Sequence, residues 1–307
     1  MIKSIKQIFI SKIGNNYSEL KLKSNWRSLK AHEIISSTEF NSYTFGIFTP
    51  NYIQKILILI GKKSFLKRGL FRTFYSKIIL SLKKRPLDVY FRKCAYRITG
   101  ENNLIEYGIL LDPKYNYFDL EFLLKGAKNN SNFVDIGSNI GLYSQPLALN
   151  SPEGLTVSID ANPNMVSKLQ FNINATNIQN IKVISSAVSN IQGKGSLKIC
   201  KDDVAIVALD EGINDSIRID TLENIIKGAK INSIFGLKID IEGHEDKALV
   251  PFLLNTPKNL LPKKIVIERA SKDQDYPGCK NAFDKLNYKL VGRSKNNSFY
   301  ELLSPDE

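Results

Sequence analysis

The chain has 307 residues, 43% hydrophobic and 24% charged, a balance typical of a globular protein of one or two domains rather than a disordered or fibrous chain. Its three cysteines, Cys94, Cys200 and Cys279, are widely spaced and odd in number, so they predict neither a disulfide framework nor a paired-cysteine metal site. The two histidines, His32 and His244, are too few for a multi-histidine metal site.

The net charge of +13 is concentrated in the first third of the chain. Residues 55–93 hold twelve Lys and Arg against one acid, a net charge of +11. Residues 94–307 hold 24 basic and 26 acidic residues and are nearly neutral. This asymmetry predicts two parts, a basic and partly helical N-terminal extension over 1–87 and an ordinary domain over 88–307.

Neither a membrane span nor an export signal is predicted. The strongest apolar run, residues 56–60, is only five residues long, whereas a transmembrane helix needs about 20. The first residues carry lysines and short apolar runs with no small-residue cleavage site after them. We therefore expect a cytoplasmic protein.

Two basic amphipathic helices are predicted over residues 51–85, where apolar residues recur at spacings of three and four. Gly61 and Gly69 are expected to separate the helices, and Pro86 is expected to end the second. Aromatic residues lie among the Lys and Arg of 55–93, a pattern that fits either peripheral contact with an anionic membrane, such as the inner face of a cell membrane, or a solvated basic face on helices packed against the main domain.

Residues 89–98 and 104–111 are rich in β-forming residues and are separated by turn residues at 100–103, so they predict a β-hairpin at the start of the domain, over 89–111. A short helix is expected over 119–127.

From residue 132 onward, predicted strands and helices alternate, which favours a parallel sheet with helices on both faces. The predicted strands are 133–136, 155–159, 181–184, 235–241, 264–268, 288–291 and 298–302. The predicted helices are 140–149, 163–174, 221–229, 244–255 and 278–286. The link between the last two strands is too short for a parallel crossover, so this pair should be antiparallel. Two stretches, 195–200 and 216–220, predict an additional β excursion.

A glycine-containing turn follows the first of these strands, in the segment N-F-V-D-I-G-S-N-I-G at 132–141. Gly137 should allow a tight turn, and Gly141 should let the next helix start close by, with exposed amides that suit a carboxylate or phosphate. The segment lacks the G-x-G-x-x-G dinucleotide fingerprint, which disfavours a nicotinamide dehydrogenase. Asp135 would repel a pyrophosphate and favour an ammonium group, unless it is only a strand-end cap or a salt-bridge partner.

The second strand ends at Asp160, nineteen residues after Gly141. An acid at this point can accept hydrogen bonds from both hydroxyls of a ribose. One site therefore favours an amino-acid-like group and a ribose together, and S-adenosylmethionine carries both. The candidate cofactor-binding residues are Asp135, Gly137, Asn139, Gly141, Asp160, Ala161, Ser186 and Ala187.

Four motifs resemble the FkbM family of S-adenosylmethionine-dependent methyltransferases. They are FVDIGSNIGLYS at 133–144, SIDANP at 158–163, IDTLENII at 219–226 and, most specifically, LKIDIEGHE at 237–245. The resemblance spans roughly residues 88–303. It implies a Rossmann-like class I methyltransferase fold, an α/β fold with a seven-stranded, mostly parallel sheet and an antiparallel last strand. It also implies O-methyl transfer, often to a hydroxyl of a sugar, a glycan or a glycolipid-like acceptor. Asp160 departs from the Glu that commonly ends the second strand in this family.

The fourth strand carries the candidate catalytic residues. Lys238, Asp240 and Glu242 alternate and should project to one side, at the end of the sheet where open α/β folds bind ligands. His244 begins the next helix. Methyl transfer to a hydroxyl needs a proton acceptor and suitable charge, which carboxylates and an imidazole supply. Asp240 is the first candidate, and Glu242 and His244 compete for the role of base.

Each of these residues also has a simpler interpretation. Asp240 could cap the strand, Glu242 could orient a neighbour, and His244 could lie on a solvated face. Lys238 could merely neutralise the carboxylates, and Glu268, at the end of the fifth strand, is a weaker candidate for the base. Three acids on different strands are weak support for Mg²⁺, so no metal site is predicted.

Two other functions stay open. A non-catalytic protein that binds membranes or glycolipids on a methyltransferase fold would use the basic segment 55–93. A nucleic-acid methyltransferase would fit the charge, but no Asn/Asp-Pro-Pro-aromatic motif follows the fourth strand, and no nucleic-acid partner is expected.

Overall fold

The computed structural model describes residues 26–28, 39–82, 86–101, 103–200, 207–211 and 217–303. Much of the predicted extension, residues 1–25 and 29–38, and the end of its second helix, residues 83–85, lie outside the described residues. The helices are α1 (Tyr52–Lys63), α2 (Gly69–Ser81), α3 (Leu104–Leu111), α4 (Tyr117–Leu124), α5 (Ser144–Asn150), α6 (Pro163–Thr176), α7 (Leu222–Ala229), α8 (Glu245–Asn255) and α9 (Pro277–Lys285). The strands are β1 (Trp26–Ser28), β2 (Leu87–Phe91), β3 (Cys94–Ile98), β4 (Phe133–Ile136), β5 (Thr156–Asp160), β6 (Ile181–Ser185), β7 (Ala187–Ser189), β8 (Gly193–Cys200), β9 (Val207–Glu211), β10 (Ile217–Thr221), β11 (Gly236–Ile239), β12 (Lys264–Glu268), β13 (Tyr288–Arg293) and β14 (Asn297–Leu302).

The central sheet has seven strands in the order β13-β14-β12-β11-β4-β5-β6. Five adjacent strands of this sheet, β12, β11, β4, β5 and β6, are parallel to their neighbours in that group. Strand β14 is antiparallel to both β12 and β13. The predicted Rossmann-like sheet with an antiparallel last strand is therefore confirmed. The chain runs outward from β4 through β5 to β6 and later returns to β11 on the other side of β4, so the topological switch point lies between β4 and β11.

Helices cover both faces of this sheet because its buried strands carry apolar residues on both sides. On β12, Ile265 and Ile267 face the core beneath α7, α8 and α9, whereas Val266 faces the core formed by α1 to α4 and the β2–β3 hairpin. This alternation is the period-two pattern of a strand. Among the described residues, both faces of the sheet are therefore covered, and the ends of the strands are where open α/β sheets bind ligands.

A second, smaller sheet confirms the predicted β excursion. Its order is β1-β8-β10-β7, with β9 paired to β8. Ala187, Leu197, Ile217 and Ile219 form its small core, and Ala161 packs against them.

The predicted hairpin over 89–111 is wrong in its second half. The hairpin pairs β2 with β3 and turns at Arg92 and Lys93, which have φ values of 50° and 66°, as a primed two-residue turn requires. Residues 104–111 instead form α3, whose first amides are capped by the Asn103 side chain. Because α3 is buried on nearly all sides, its sequence shows none of the polar spacing that marks a surface helix.

Gly61 does not separate the first two helices, as the sequence led us to expect. It lies inside α1, where an added Cβ would come within 2.8 Å of Leu111 and 2.9 Å of Tyr75. Gly61 therefore allows α1 to pack closely on α2 and α3, and α1 ends at Lys63, with Ser64 as its C-cap. Within the part of the chain that is described, no helix is long and apolar enough to cross a bilayer.

Candidate functional site

The predicted cofactor loop and the predicted catalytic segment meet at the switch point. Gly137 follows β4 with a φ of +77°, and a Cβ on it would lie 1.9 Å from the backbone oxygen of Asp240. The amide of Asp240 donates to Ile136 O at 3.0 Å. The ends of β4 and β11 are therefore in direct backbone contact, and both motifs lie next to each other at the carboxyl edge of the sheet.

The amides of the loop are not exposed, contrary to the sequence-based expectation. Gly137 N and Ser138 N donate to Ile159 O, Asn139 N donates to Asp160, Ile140 N donates to the Asn139 side chain, and Gly141 N donates to Ser138 O. The next helix, α5, begins at Ser144 rather than at residue 140. A ligand carboxylate or phosphate is therefore not held by the amides of 137–141.

Asp160 ties this loop to the end of β5. Its two carboxylate oxygens accept from Asn139 N at 2.7 Å and from Asn162 N at 2.8 Å. Burial raises the pKa of Asp160 to about 6, although these two hydrogen bonds oppose the rise. Each carboxylate oxygen has a second lone pair, so Asp160 keeps the capacity to accept from ribose hydroxyls.

Asp135 is fully buried. Its Oδ2 accepts from Ser144 Oγ at 2.5 Å, whereas Oδ1 has no hydrogen-bond partner among the described residues. Burial raises the pKa of Asp135, and the nearby Lys238 and the Ser144 hydrogen bond oppose the rise. A buried acceptor without a donor is costly, so an N–H or O–H group from a ligand would be stabilising here.

The other predicted cofactor residues lie around the loop but face protein groups. Asn139 is 6% exposed, and its Oδ1 accepts from Asn103 Nδ2 at 3.1 Å. Ser186 Oγ donates to backbone oxygens of Ala187 and Arg218, which fixes the link from β6 to the second sheet. Ala161 packs on the core of that sheet. None of these contacts identifies a ligand.

Lys238 and Asp240 form an ion pair beside the loop. Lys238 Nζ lies 2.9 Å from Asp240 Oδ2, and the side chain of Lys238 is 3% exposed while that of Asp240 is 35% exposed. Burial alone would lower the pKa of Lys238, but the charges of Asp240 and Asp135 outweigh it and raise the pKa. The lysine is therefore held as a cation between the cofactor loop and the solvent-facing acid.

The turn after β11 is shaped by Glu245, which lies at the start of the helix predicted over 244–255. Glu245 is fully buried, and its carboxylate accepts from Ile241 N at 2.8 Å and from Gly243 N at 2.9 Å. Glu242, inside this turn, has a φ of +57°, which is uncommon for a residue with a Cβ. Burial raises the pKa of Glu245, and its hydrogen bond from Ile241 opposes the rise.

The turn brings three carboxylates together. Asp240, Glu242 and Glu268 each place an oxygen within 4.8 Å of the others, and all three are half-buried. The sequence predicted that Asp240 and Glu242 alternate along the fourth strand. In the structure β11 ends at Ile239, and both acids lie in the turn that follows it. His244 lies at the N-cap position of α8, at the end of the same turn, without a side-chain hydrogen bond to the helix amides. The candidates Asp240, Glu242 and Glu268 therefore share one surface.

A buried polar network that the sequence did not reveal borders this surface. Tyr143 donates its hydroxyl to Asp119 at 2.7 Å, and Asn297 also donates to Asp119, at 2.5 Å. Asn116 donates to the Tyr143 oxygen at 2.8 Å, and the Lys238 ammonium lies 5.2 Å from the Tyr143 ring centroid. These partners come from α4, its N-terminal turn and β14, so no local motif could have indicated them.

A surface cavity of about 330 Å³ lies at the opposite end of the sheet, lined by Asn132, Phe235 and Lys263 among others. These residues lie at the amino ends of β4, β11 and β12. Ligands of open α/β sheets bind at the carboxyl ends, so the cluster at the switch point is the better candidate site.

No family model and no curated protein matches the chain. Among solved structures, the chain is similar to TYW2 of M. jannaschii in complex with AdoMet, with 14% identity, coverage of 71% of this chain and 87% of that chain, and a TM-score of 0.39. It is also similar to an rRNA methylase from Streptococcus thermophilus, with 13% identity, coverage of 61% of this chain and 95% of that chain, and a TM-score of 0.38. An O-methyltransferase from Bacillus cereus in complex with SAH is similar as well, with 13% identity, coverage of 61% of this chain and 81% of that chain, and a TM-score of 0.38. With these TM-scores, the fold assignment rests on the strand order of the central sheet.

Proposed function

We propose that this protein is an S-adenosylmethionine-dependent methyltransferase that methylates a hydroxyl of a sugar, a glycan or a glycolipid-like acceptor. The observation that carries the proposal is the contact between Gly137 and Asp240, which joins the cofactor loop to the acid cluster in one site. The resemblance of 237–245 to the FkbM family supports the acceptor class and remains a prediction.

The residues at the switch point fit this cofactor. The unpartnered Oδ1 of buried Asp135 favours an ammonium donor, and Asp160 keeps acceptor capacity for a ribose. When bound, S-adenosylmethionine supplies a methyl group on a positively charged sulfur. The loop amides are already used within the protein, so Asp135 and Asp160 are the residues that we expect to hold it.

The acid cluster would serve the acceptor. Glu242 and His244 are the candidate proton acceptors, while Asp240 orients the hydroxyl with its charge fixed by the ion pair to Lys238. Glu245 acts through the turn, because its two hydrogen bonds determine where Glu242 lies. Charge that is in place before reaction needs no reorganisation, which is how such a cluster would lower the barrier.

The test is incubation of the protein with labelled S-adenosylmethionine and a fraction of sugars and glycolipids, followed by mass analysis. The expected result is an acceptor that gains one methyl group, with no gain when Asp160→Ala replaces the wild type. Donor binding without transfer to any acceptor in the fraction would contradict the proposed acceptor class. Transfer to RNA in a parallel reaction would favour a nucleic-acid methyltransferase instead.

A further inference from the structure

Helices α1 and α2 expose a large apolar surface on the side that faces away from the protein core. Their inner sides carry buried Gln54, Ile58, Ser76 and Ile79. Gln54 Nε2 donates to Ile79 O at 3.0 Å and Tyr75 donates its hydroxyl to Leu57 O at 3.1 Å, so the two helices are joined through these inner sides. The outer sides therefore add nothing to the packing between the two helices.

We call the outer side of these helices and of the turn between them the α1–α2 face. Its most exposed apolar side chains are Tyr52, Ile53, Phe65, Leu70, Phe71 and Phe74, with 78% exposure for both Tyr52 and Leu70. On α2 the exposed apolar residues, including Ile78, recur at spacings of three and four. The Phe65 and Phe71 rings are arranged edge to face, with 5.3 Å between their centroids. Exposed apolar surface of this extent usually marks an interaction site.

The charge of the α1–α2 face determines which partner it fits. Residues 51–82 contain seven Lys and Arg and no Asp or Glu. A second copy docked on the same face would bring these like charges together, which is unfavourable. The chain's own residues 1–38 hold seven basic and two acidic residues, so they are equally poor partners. The complementary surface is anionic and apolar at once, which describes the headgroup region of a lipid bilayer.

We propose that the α1–α2 face binds anionic lipid bilayers, with its aromatic and aliphatic side chains at headgroup depth and its lysines and arginines against lipid phosphates. Lys55, Lys63 and Lys77 are exposed among the apolar residues and would make these contacts. The helices lie on the bilayer rather than cross it. This surface does not include the acid cluster, so the proposal stands apart from methyl transfer.

A chain of contacts connects helix α2 to the candidate site. Arg72 of α2 lies 4.9 Å from the centroid of the Tyr115 ring, and the next residue, Asn116, donates to Tyr143 beside Lys238. One short segment thus connects helix α2 to the border of the site.

The first test measures co-sedimentation of the full-length protein with phosphatidylcholine vesicles that contain or lack phosphatidylserine. Binding should need phosphatidylserine and should be largely lost on raising the salt to about 0.5 M, because screening shortens the reach of each charge. Leu70→Ser with Phe74→Ser should weaken binding about tenfold or more. The control, Ile191→Ser with Leu254→Ser, alters two apolar residues outside the face that are each 46% exposed, and should bind like the wild type.

The second test neutralises charge. Lys63→Gln with Lys77→Gln should weaken binding about 25-fold, since each lysine near an anionic surface contributes about fivefold. Lys258→Gln with Lys285→Gln changes equally exposed lysines outside the face and should have no effect. Donor binding by calorimetry should be unchanged in all four variants, which separates a failure of this proposal from a failure of the proposed function.

The third test reports insertion directly. Phe74→Trp places a fluorophore on the face of a chain whose natural tryptophan is Trp26, and its emission should shift to the blue and be quenched by brominated lipid. The proposal is overturned if the protein does not bind anionic vesicles, or if its binding depends on neither phosphatidylserine nor salt. It is also overturned if the protein forms a dimer that Leu70→Ser with Phe74→Ser abolishes and does not bind vesicles.

Discussion

Replacing Gly137 by alanine should damage both halves of the candidate site at once. The new Cβ would lie 1.9 Å from Asp240 O, and ordinary contact begins near 3.4 Å, so the backbone at Asp240 must move by about 1.5 Å or the loop must move away from it. A left-handed backbone with a Cβ costs about 1–2 kcal/mol, and overpacking adds about 1–3 kcal/mol. We expect Gly137→Ala to lower the free energy of unfolding by about 2–5 kcal/mol.

The same displacement should lower turnover more than about 100-fold, because a misplacement of about 1 Å can have that effect. The control is Gly46→Ala, which has a φ of +102° but nothing within 4 Å of the added Cβ, and so isolates the backbone cost. Urea unfolding and methyl-transfer rates of both variants are the assays. If Gly137→Ala is no less stable than Gly46→Ala and keeps its turnover, the two motifs do not share one site.

The further predictions concern single side chains. Donor affinity measured by calorimetry should fall about tenfold per pH unit below about pH 6. The reason is that the pKa of Asp160 is raised to about 6, so its carboxylate becomes protonated as the pH falls below that value. The Asp160→Asn variant should bind the donor weakly, with little dependence on pH. Asp240→Asn and Glu242→Gln should lower turnover much more than donor binding, and the true base should show a loss of about 10²–10⁴-fold. His244→Asn should cause that loss only if imidazole is the base. Glu245→Gln leaves a turn amide without its acceptor, so the free energy of unfolding measured in urea should fall by about 1–3 kcal/mol. Turnover should fall as well, while donor affinity stays unchanged.

The central sheet could be predicted because its signals are local and repetitive. Buried strands such as β4 and β12 begin and end at the residues that the sequence indicated, since each apolar run is bounded by turn residues. Helix α3 could not be recognised, because burial on nearly all sides removes the alternation that separates a helix from a strand. Gly61 was misinterpreted for a related reason: a glycine within a helix can mark a close contact with another helix, which only the tertiary structure shows.

For the candidate site, the sequence identified most of the acidic residues but not the turn and hydrogen bonds that arrange them. The acids Asp240 and Glu242 were found, but the turn that gathers them with Glu268 depends on Glu245, whose carboxylate bonds backward to two amides. The loop amides were expected to be free, but Asp160 and Ile159 O, from the next strand, accept hydrogen bonds from several of them. Such pairings join residues that are distant in the chain, so spacing along the sequence does not reveal them.

Calorimetric titration with S-adenosylhomocysteine and with NAD tests the central claim most directly. The account predicts saturable binding of S-adenosylhomocysteine at one site and no binding of NAD. Asp160→Ala should weaken the complex by about 1.5–3 kcal/mol, the contribution of hydrogen bonds to a charged group. Tight binding of NAD with no response to S-adenosylhomocysteine, or an Asp160→Ala variant that binds as tightly as the wild type, would contradict it.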